Sequence, residues 1–147
     1  MKADIAKRWA DALESGKYDQ GKGRLERRRP LDSSDDGFCC LGVLCALAVE
    51  DGVIERRDED GNIIFGSAEE FKDGGSSMSF PPESVIEWAG LSSENPAFEV
   101  VLPSGCGIEG CNLGHNNTNH QAAELNDDKG FTFEQIATLI REQHENL

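Results

Sequence analysis

Thirteen consecutive residues, Gly37 to Val49, carry no charge and form the longest apolar run of the chain. Cys39, Cys40, Leu41, Val43, Leu44, Cys45, Leu47 and Val49 belong to the residue types most often fully buried. A run of about 12 residues without polar alternation is too long for a typical strand, and it predicts a helix buried on all sides. Ser33, Ser34, Asp35 and Asp36 offer N-cap side chains before it, and Gly52 offers a stop after it. Gly42 sits inside the run, at a cost of about 1 kcal/mol relative to alanine. A glycine there predicts that another stretch of backbone packs closely against the helix. The rest of the chain is expected to be laid around this element.

A chain of 147 residues suits a single domain, 1–147, with a substantial core. No apolar run approaches the ~18 residues of a membrane span. The first residues lack the apolar region of a signal peptide, which leads to an expectation of a cytoplasmic protein with no membrane partner. Five cysteines, an odd number with an adjacent pair inside the apolar run, predict free thiols rather than a disulfide framework.

The net charge of −14 opposes general nucleic-acid binding. Its distribution is uneven. Residues 1–29 hold nine Lys/Arg against five acids, and the remainder holds five against 23, so one end is +4 and the body −18. If the protein binds an anion, residues 17–29 are where it should do so.

Along the chain, Ile5, Ala6, Trp9, Ala12 and Leu13 recur at helical spacing and predict a helix over 3–15. Tyr18 and Leu25 are expected to anchor two short strands joined by a turn at Gly21, Lys22 and Gly23. Val53-Ile54 and Ile63 to Phe65 predict a hairpin with Asp60-Gly61 as its turn. Residues 66–80 read as a loop. Pro81, Pro82 and Glu83 open a short helix stopped by Gly90. Residues 92–120 read mostly as loop, with a strand from Phe98 to Leu102. Asn126, Asp127 and Asp128 read as a turn and cap. Thr132 to Gln135 form a capping-box start for a last helix ending near Gln143.

Strand alternation would place Tyr18, Gln20, Lys22 and Arg24 on one face. A ring to stack on a base, an amide to read its edge and two cations for phosphate make a nucleotide surface. The two glycines flanking Lys22 let backbone approach phosphate. The same segment also reads as a plain exposed hairpin. Trp9 joins the ligand-binding candidates through its polar ring edge, although its place among the core residues of the first helix favours packing. Cys39, Cys40 and Cys45 read as packing groups, since a nucleophile needs a neighbouring base and a lowered pKa. Cys106, Cys111, His115 and His120 are four potential zinc ligands. They lack the close CxxC pair and leave little room between the halves, so no metal and no other cofactor is expected. No Walker loop, Rossmann glycine pattern, Ser-His-Asp order or HExxH occurs.

The stretches Trp9 to Gly21, Phe38 to Cys45, Pro81 to Leu91, and Glu124 to Ala137 together resemble a widespread family of small accessory proteins of tailed phages and prophages. The resemblance touches both ends and the middle of the chain. It implies an accessory role rather than a virion part or replication enzyme. Small phage proteins of this kind include immune-evasion sponges that bind cyclic nucleotide alarm signals without cleaving them.

The expectation is an α+β domain, with three to four helices around the central helix at about 38–49 and a small antiparallel sheet. Its function is expected to be non-enzymatic sequestration of a small anionic nucleotide, cyclic or ADP-ribose-type, made by host defence. The protein is expected to be a homo-oligomer, as sponges commonly bind at subunit interfaces. Two rivals are an acidic inhibitor or DNA mimic that docks on a basic host protein, and a thiol- or metal-dependent enzyme acting on a nucleotide.

Overall fold

Ile5, Ala6, Trp9, Ala10 and Leu13 are buried along one side of helix α1, Ala3–Glu14, as their spacing requires. The computed structural model describes residues 1–28, 36–100 and 118–147. The apolar run becomes helix α2, Cys40–Glu50, with eight of its eleven residues buried, so it is enclosed on nearly all sides. Its N-cap is Cys39, whose Sγ accepts from the Gly42 N–H at 3.4 Å; of the expected cap residues, Ser33, Ser34 and Asp35 lie outside the described residues, and Asp36 is not the cap. The helix stops where Gly52 takes φ 73° and Val53 N–H donates to Ala48 O at 2.9 Å.

Gly42 is where another backbone arrives. A Cβ at this position would lie 1.6 Å from the carbonyl oxygen of Leu25. Leu25 O accepts from Cys39 N–H at 3.2 Å, and Leu25 N–H donates to Met78 O at 2.9 Å. The absent side chain therefore lets one loop residue stitch the start of α2 to the segment at Met78.

Three separate two-stranded antiparallel sheets surround the helices, where a single small sheet was expected. Strand β1, Glu26–Arg27, pairs with β2, Gly37–Phe38. Strand β3, Glu55–Glu59, pairs with β4, Asn62–Gly66. Its turn is Asp60-Gly61, both at positive φ (53° and 82°), as a two-residue hairpin turn of the favoured hand requires. The first strand lies just after Val53-Ile54, in charged residues whose partners across the pair supply the buried side chains Ile63 and Phe65. Strand β5, Ala97–Val100, overlaps the expected strand from Phe98 and pairs with β6, Thr118–Gln121, where the sequence reads mostly as loop.

The described residues hold six helices, more than the three or four expected, in an α+β arrangement. The expected loop after residue 66 contains α3, Ala68–Asp73, started by a reciprocal capping box between Ser67 and Glu70. Glu70 also accepts from Ser84 N–H at 3.0 Å and Ser84 Oγ at 2.7 Å, which ties α3 to α4, Glu83–Ala89. Helix α4 ends at Gly90, φ 67°. Of the turn and cap expected at 126–128, Asn126 and Asp127 instead end α5, Ala122–Asp127, while Asp128 is its C-cap. Helix α6, Phe133–Gln143, starts with the Thr132–Gln135 capping box and packs along α1. Arg141 on α6 pairs with Asp11 and Glu14 on α1. No helix among the described residues is long and apolar enough to cross a membrane.

Candidate anion-binding site

The four side chains expected on one strand face go to four different places. Residues 15–25 do not form a hairpin. Only Gln20 makes a bridge, parallel, to Phe38. Gly21 N–H donates to Phe38 O and Phe38 N–H donates to Asp19 O, both at 2.8 Å, so residues 19–21 run beside β2. Gly37 permits this approach, since a Cβ there would lie 2.3 Å from Asp19 O. Gly23 then turns the chain at φ 75°, and the strand alternation that would have gathered the four residues is lost.

Tyr18 is half-buried, its ring edge-on to Phe38 with centroids 5.1 Å apart, and its hydroxyl lies 3.4 Å from Glu50 Oε1. Gln20 is a structural clasp. Its Nε2 donates to Asn126 Oδ1 at 2.9 Å and to Phe131 O at 2.8 Å, and its Oε1 accepts from Phe133 N–H at 3.2 Å. Asn126, fully buried, donates to Gly21 O at 2.9 Å and to Asp127 Oδ1 at 2.7 Å. Asp127 Oδ2 accepts from Gly23 N–H at 3.1 Å. This network fastens the 20–23 loop to the α5–α6 junction, and each polar group of Asn126 is satisfied. Lys22 is exposed to solvent. Trp9, expected as a ligand contact, is fully buried and donates from Nε1 to Cys40 O at 2.9 Å, so no ligand reaches it.

Arg24 keeps a place in a cleft. Its guanidinium donates to Asn62 Oδ1 at 2.7 Å, a neutral partner. With Arg27, Arg28, Glu26, Gly61, Asn62 and Ile63 it lines a cleft of about 210 Å³ between β1 and the β3–β4 turn. Glu26 is only 1% exposed, yet it is a carboxylate. Its oxygens accept from Arg28 Nε at 2.7 Å and from Arg56 Nε and Nη2 at 2.5 and 2.7 Å. A buried charge is tolerated when partners of this quality surround it. Glu26 thereby engages two guanidinium groups, of which Arg28 lines the cleft beside Arg24 and Arg27. Arginine in such a fixed fork suits bidentate binding of phosphate or carboxylate. The sequence pointed to the basic end, and its net of +4 was the usable signal. Arg27 and Arg28 escaped individual notice because the cleft they share with Arg24 is closed by Gly61, Asn62 and Ile63 of the β3–β4 hairpin, which only the fold brings against β1.

A second cleft of about 250 Å³ lies on the β2 side of the same strand, lined by Lys17, Asp19, Glu26, Arg27, Arg28, Asp36, Gly37 and Phe38. Here charges of both signs balance, and Phe38 adds an aromatic wall.

The described thiols do not suit nucleophilic work. Cys39, Cys40 and Cys45 are free and buried. Burial pushes Cys39 up to about 12 and the other two well above the ordinary thiol range. Of the zinc set, Cys106, Cys111 and His115 lie outside the described residues. His120 is buried, with Nδ1 3.0 Å from Glu124 Oε1. Among the described residues no group of three or more His, Cys, Asp or Glu is arranged to hold a metal.

Residues 1–144 match the family described as a domain of unknown function, DUF8296, and the chain belongs to that family. No curated protein and no solved structure matches it.

Proposed function

We propose that this protein binds and sequesters a small anionic nucleotide, cyclic or ADP-ribose-type, without cleaving it, as an anti-defence accessory protein of a phage. The observation that carries the binding reading is the cleft of Arg24, Arg27 and Arg28, with Arg24 held by Asn62 and Arg28 by buried Glu26, in a chain whose remainder is strongly acidic. An acidic body repels polyanions such as nucleic acid, while a small cleft of fixed guanidinium groups still attracts a compact phosphate. The non-catalytic part of the reading draws support from the described thiols, whose burial and raised pKa disfavour the thiolate that nucleophilic chemistry needs. The phage and host-cytoplasm parts rest on the resemblance of the Trp9–Gly21, Phe38–Cys45 and Glu124–Ala137 stretches to phage accessory proteins. A homo-oligomer fits this reading, because sponges commonly complete their sites between subunits.

Native mass spectrometry after incubation with cyclic di- and trinucleotides and ADP-ribose derivatives tests it. The expected result is a retained, intact ligand mass on the wild-type protein, reduced in Arg24→Ala. Conversion of the compound to products would make the protein an enzyme. Failure of every compound to bind would favour the second reading, an acidic inhibitor of a basic host protein, which the −18 body supports.

A further inference from the structure

The two clefts share Glu26, Arg27 and Arg28 and lie on either side of β1. At about 210 and 250 Å³, each falls below the ~300–1,000 Å³ of sites that enclose a whole drug-sized ligand. Each suits a fragment, and their chemistries differ. The Arg24 cleft offers guanidinium groups, one neutral amide and the buried carboxylate of Glu26, whose oxygens are already taken by Arg28 and Arg56. The Phe38 cleft offers an aromatic wall, balanced charges and a carboxylate, Asp19, whose side chain has no partner among the described residues.

Resting on the nucleotide reading above, we infer that the ligand straddles β1, with its phosphate in the Arg24 cleft and a guanine-type base in the Phe38 cleft. The Phe38 ring is held by Tyr18 in an edge-on contact at 5.1 Å, and this fixes its plane before any ligand arrives. A base packed on a fixed ring loses less freedom on binding. Asp19 supplies the selectivity. An ionised carboxylate only accepts hydrogen bonds. Guanine presents two adjacent donors, the ring N1–H and the exocyclic amino group, which match the two oxygens of a carboxylate. Adenine presents a ring acceptor beside its amino group and meets the carboxylate with one donor only. Asp19 is held in place through its backbone, since Asp19 O accepts from Phe38 N–H at 2.8 Å. Arg27 and Arg28, shared by both clefts, would sit between base and phosphate.

The test is isothermal titration with GMP, AMP and ribose 5-phosphate, on the wild-type protein and on Asp19→Asn, Phe38→Leu and Arg24→Ala. Circular dichroism checks that each variant is folded. GMP is expected to bind about 5–150-fold more tightly than ribose 5-phosphate, the range for one stacked base. GMP is also expected to bind more tightly than AMP. Asp19→Asn should erase the preference for GMP over AMP and leave ribose 5-phosphate unchanged. This substitution is on an exposed side chain, so it serves if Phe38→Leu fails to fold. Arg24→Ala should weaken all three compounds. Equal binding of GMP and ribose 5-phosphate, both sensitive to Arg24→Ala, would overturn the base cleft and leave the anion-binding reading standing. Equal binding of GMP and AMP would overturn the role of Asp19 and with it the inference. Binding of none of the three would count against the anion-binding reading itself, and the inference would fall with it.

Discussion

Asn126 shows how much one buried side chain can hold. It joins Gln20, Gly21 and Asp127, from segments more than a hundred residues apart in the chain. Asn126→Leu keeps similar bulk but leaves Gly21 O and Gln20 Nε2 short of a partner. A buried unsatisfied group costs about 1–3 kcal/mol, so urea unfolding should show a loss of at least that size. An unchanged midpoint would mean that the 20–23 loop is held by something else. The cysteines make a separate prediction. Cys39 has its pKa raised from 9.0 to about 12 by burial, so the folded form keeps its proton where the unfolded form loses it. That contribution to stability is complete below pH 9 and is lost as pH rises from 9 towards 12. Unfolding midpoints should therefore fall through that window, and Cys39→Ala should flatten part of the decline. Neither effect was visible in the sequence as such. Asn126 looked like a turn former, because a polar residue followed by two aspartates and a nearby glycine carries that signature whether or not a distant loop comes to meet it.

At the scale of elements, α2 was legible because its signal is compositional. Burial on all sides needs no knowledge of the neighbours. Gly42 was legible for the same reason, and the carbonyl of Leu25 gives it a cause. Gly42→Ala should destabilise by about 1–3 kcal/mol or more, because the new methyl meets backbone that cannot swing aside. Leu44→Ala on the same helix should cost about 2–5 kcal/mol through lost contacts and a cavity. Thermal and urea unfolding check both, and a loss below about 1 kcal/mol in Leu44→Ala would show that α2 is not the centre of the core. The capping boxes divide instructively. Thr132–Gln135 was read correctly, while Ser67–Glu70 has the same spacing and was passed over inside a Gly/Ser-rich stretch. Helix α3 has no buried residue, so no apolar periodicity announced it. The nucleotide face at 18–24 failed for a different reason. Alternation holds only in a strand, and the glycine at 37 lets residues 19–21 dock on β2 in a way that local pattern does not encode. Arg24 alone remained in a cleft, closed by Gly61, Asn62 and Ile63 of the distant β3–β4 hairpin.

At the scale of the whole molecule, charge is the organising property. Ion pairs such as Arg8–Asp51 and Arg141–Glu14 hold carboxylates below their ordinary range, through hydrogen bonds from the guanidinium groups. At Glu70, burial pushes the other way, but bonds from Ser67 and Ser84 outweigh it and lower the value. These folded-state values lie below the unfolded values of 3.8 for Asp and 4.5 for Glu. The stability they lend is present above about pH 5 and is lost as pH falls through the folded values. A midpoint that declines on acidification below pH 4, less steeply in Glu70→Gln, is the expected result of thermal melts across pH. The same charge separation underlies the functional claim, in which an acidic body carries one cleft of fixed guanidinium groups. That claim is tested most directly by titrating a guanine-containing cyclic dinucleotide and ADP-ribose into wild-type protein and Arg24→Ala. A charge-assisted contact of about 1.5–3 kcal/mol predicts roughly 10- to 150-fold weaker binding in the variant, with its fold unchanged by circular dichroism. Equal affinities in the two proteins, or no binding of either compound to the wild-type chain, would contradict it.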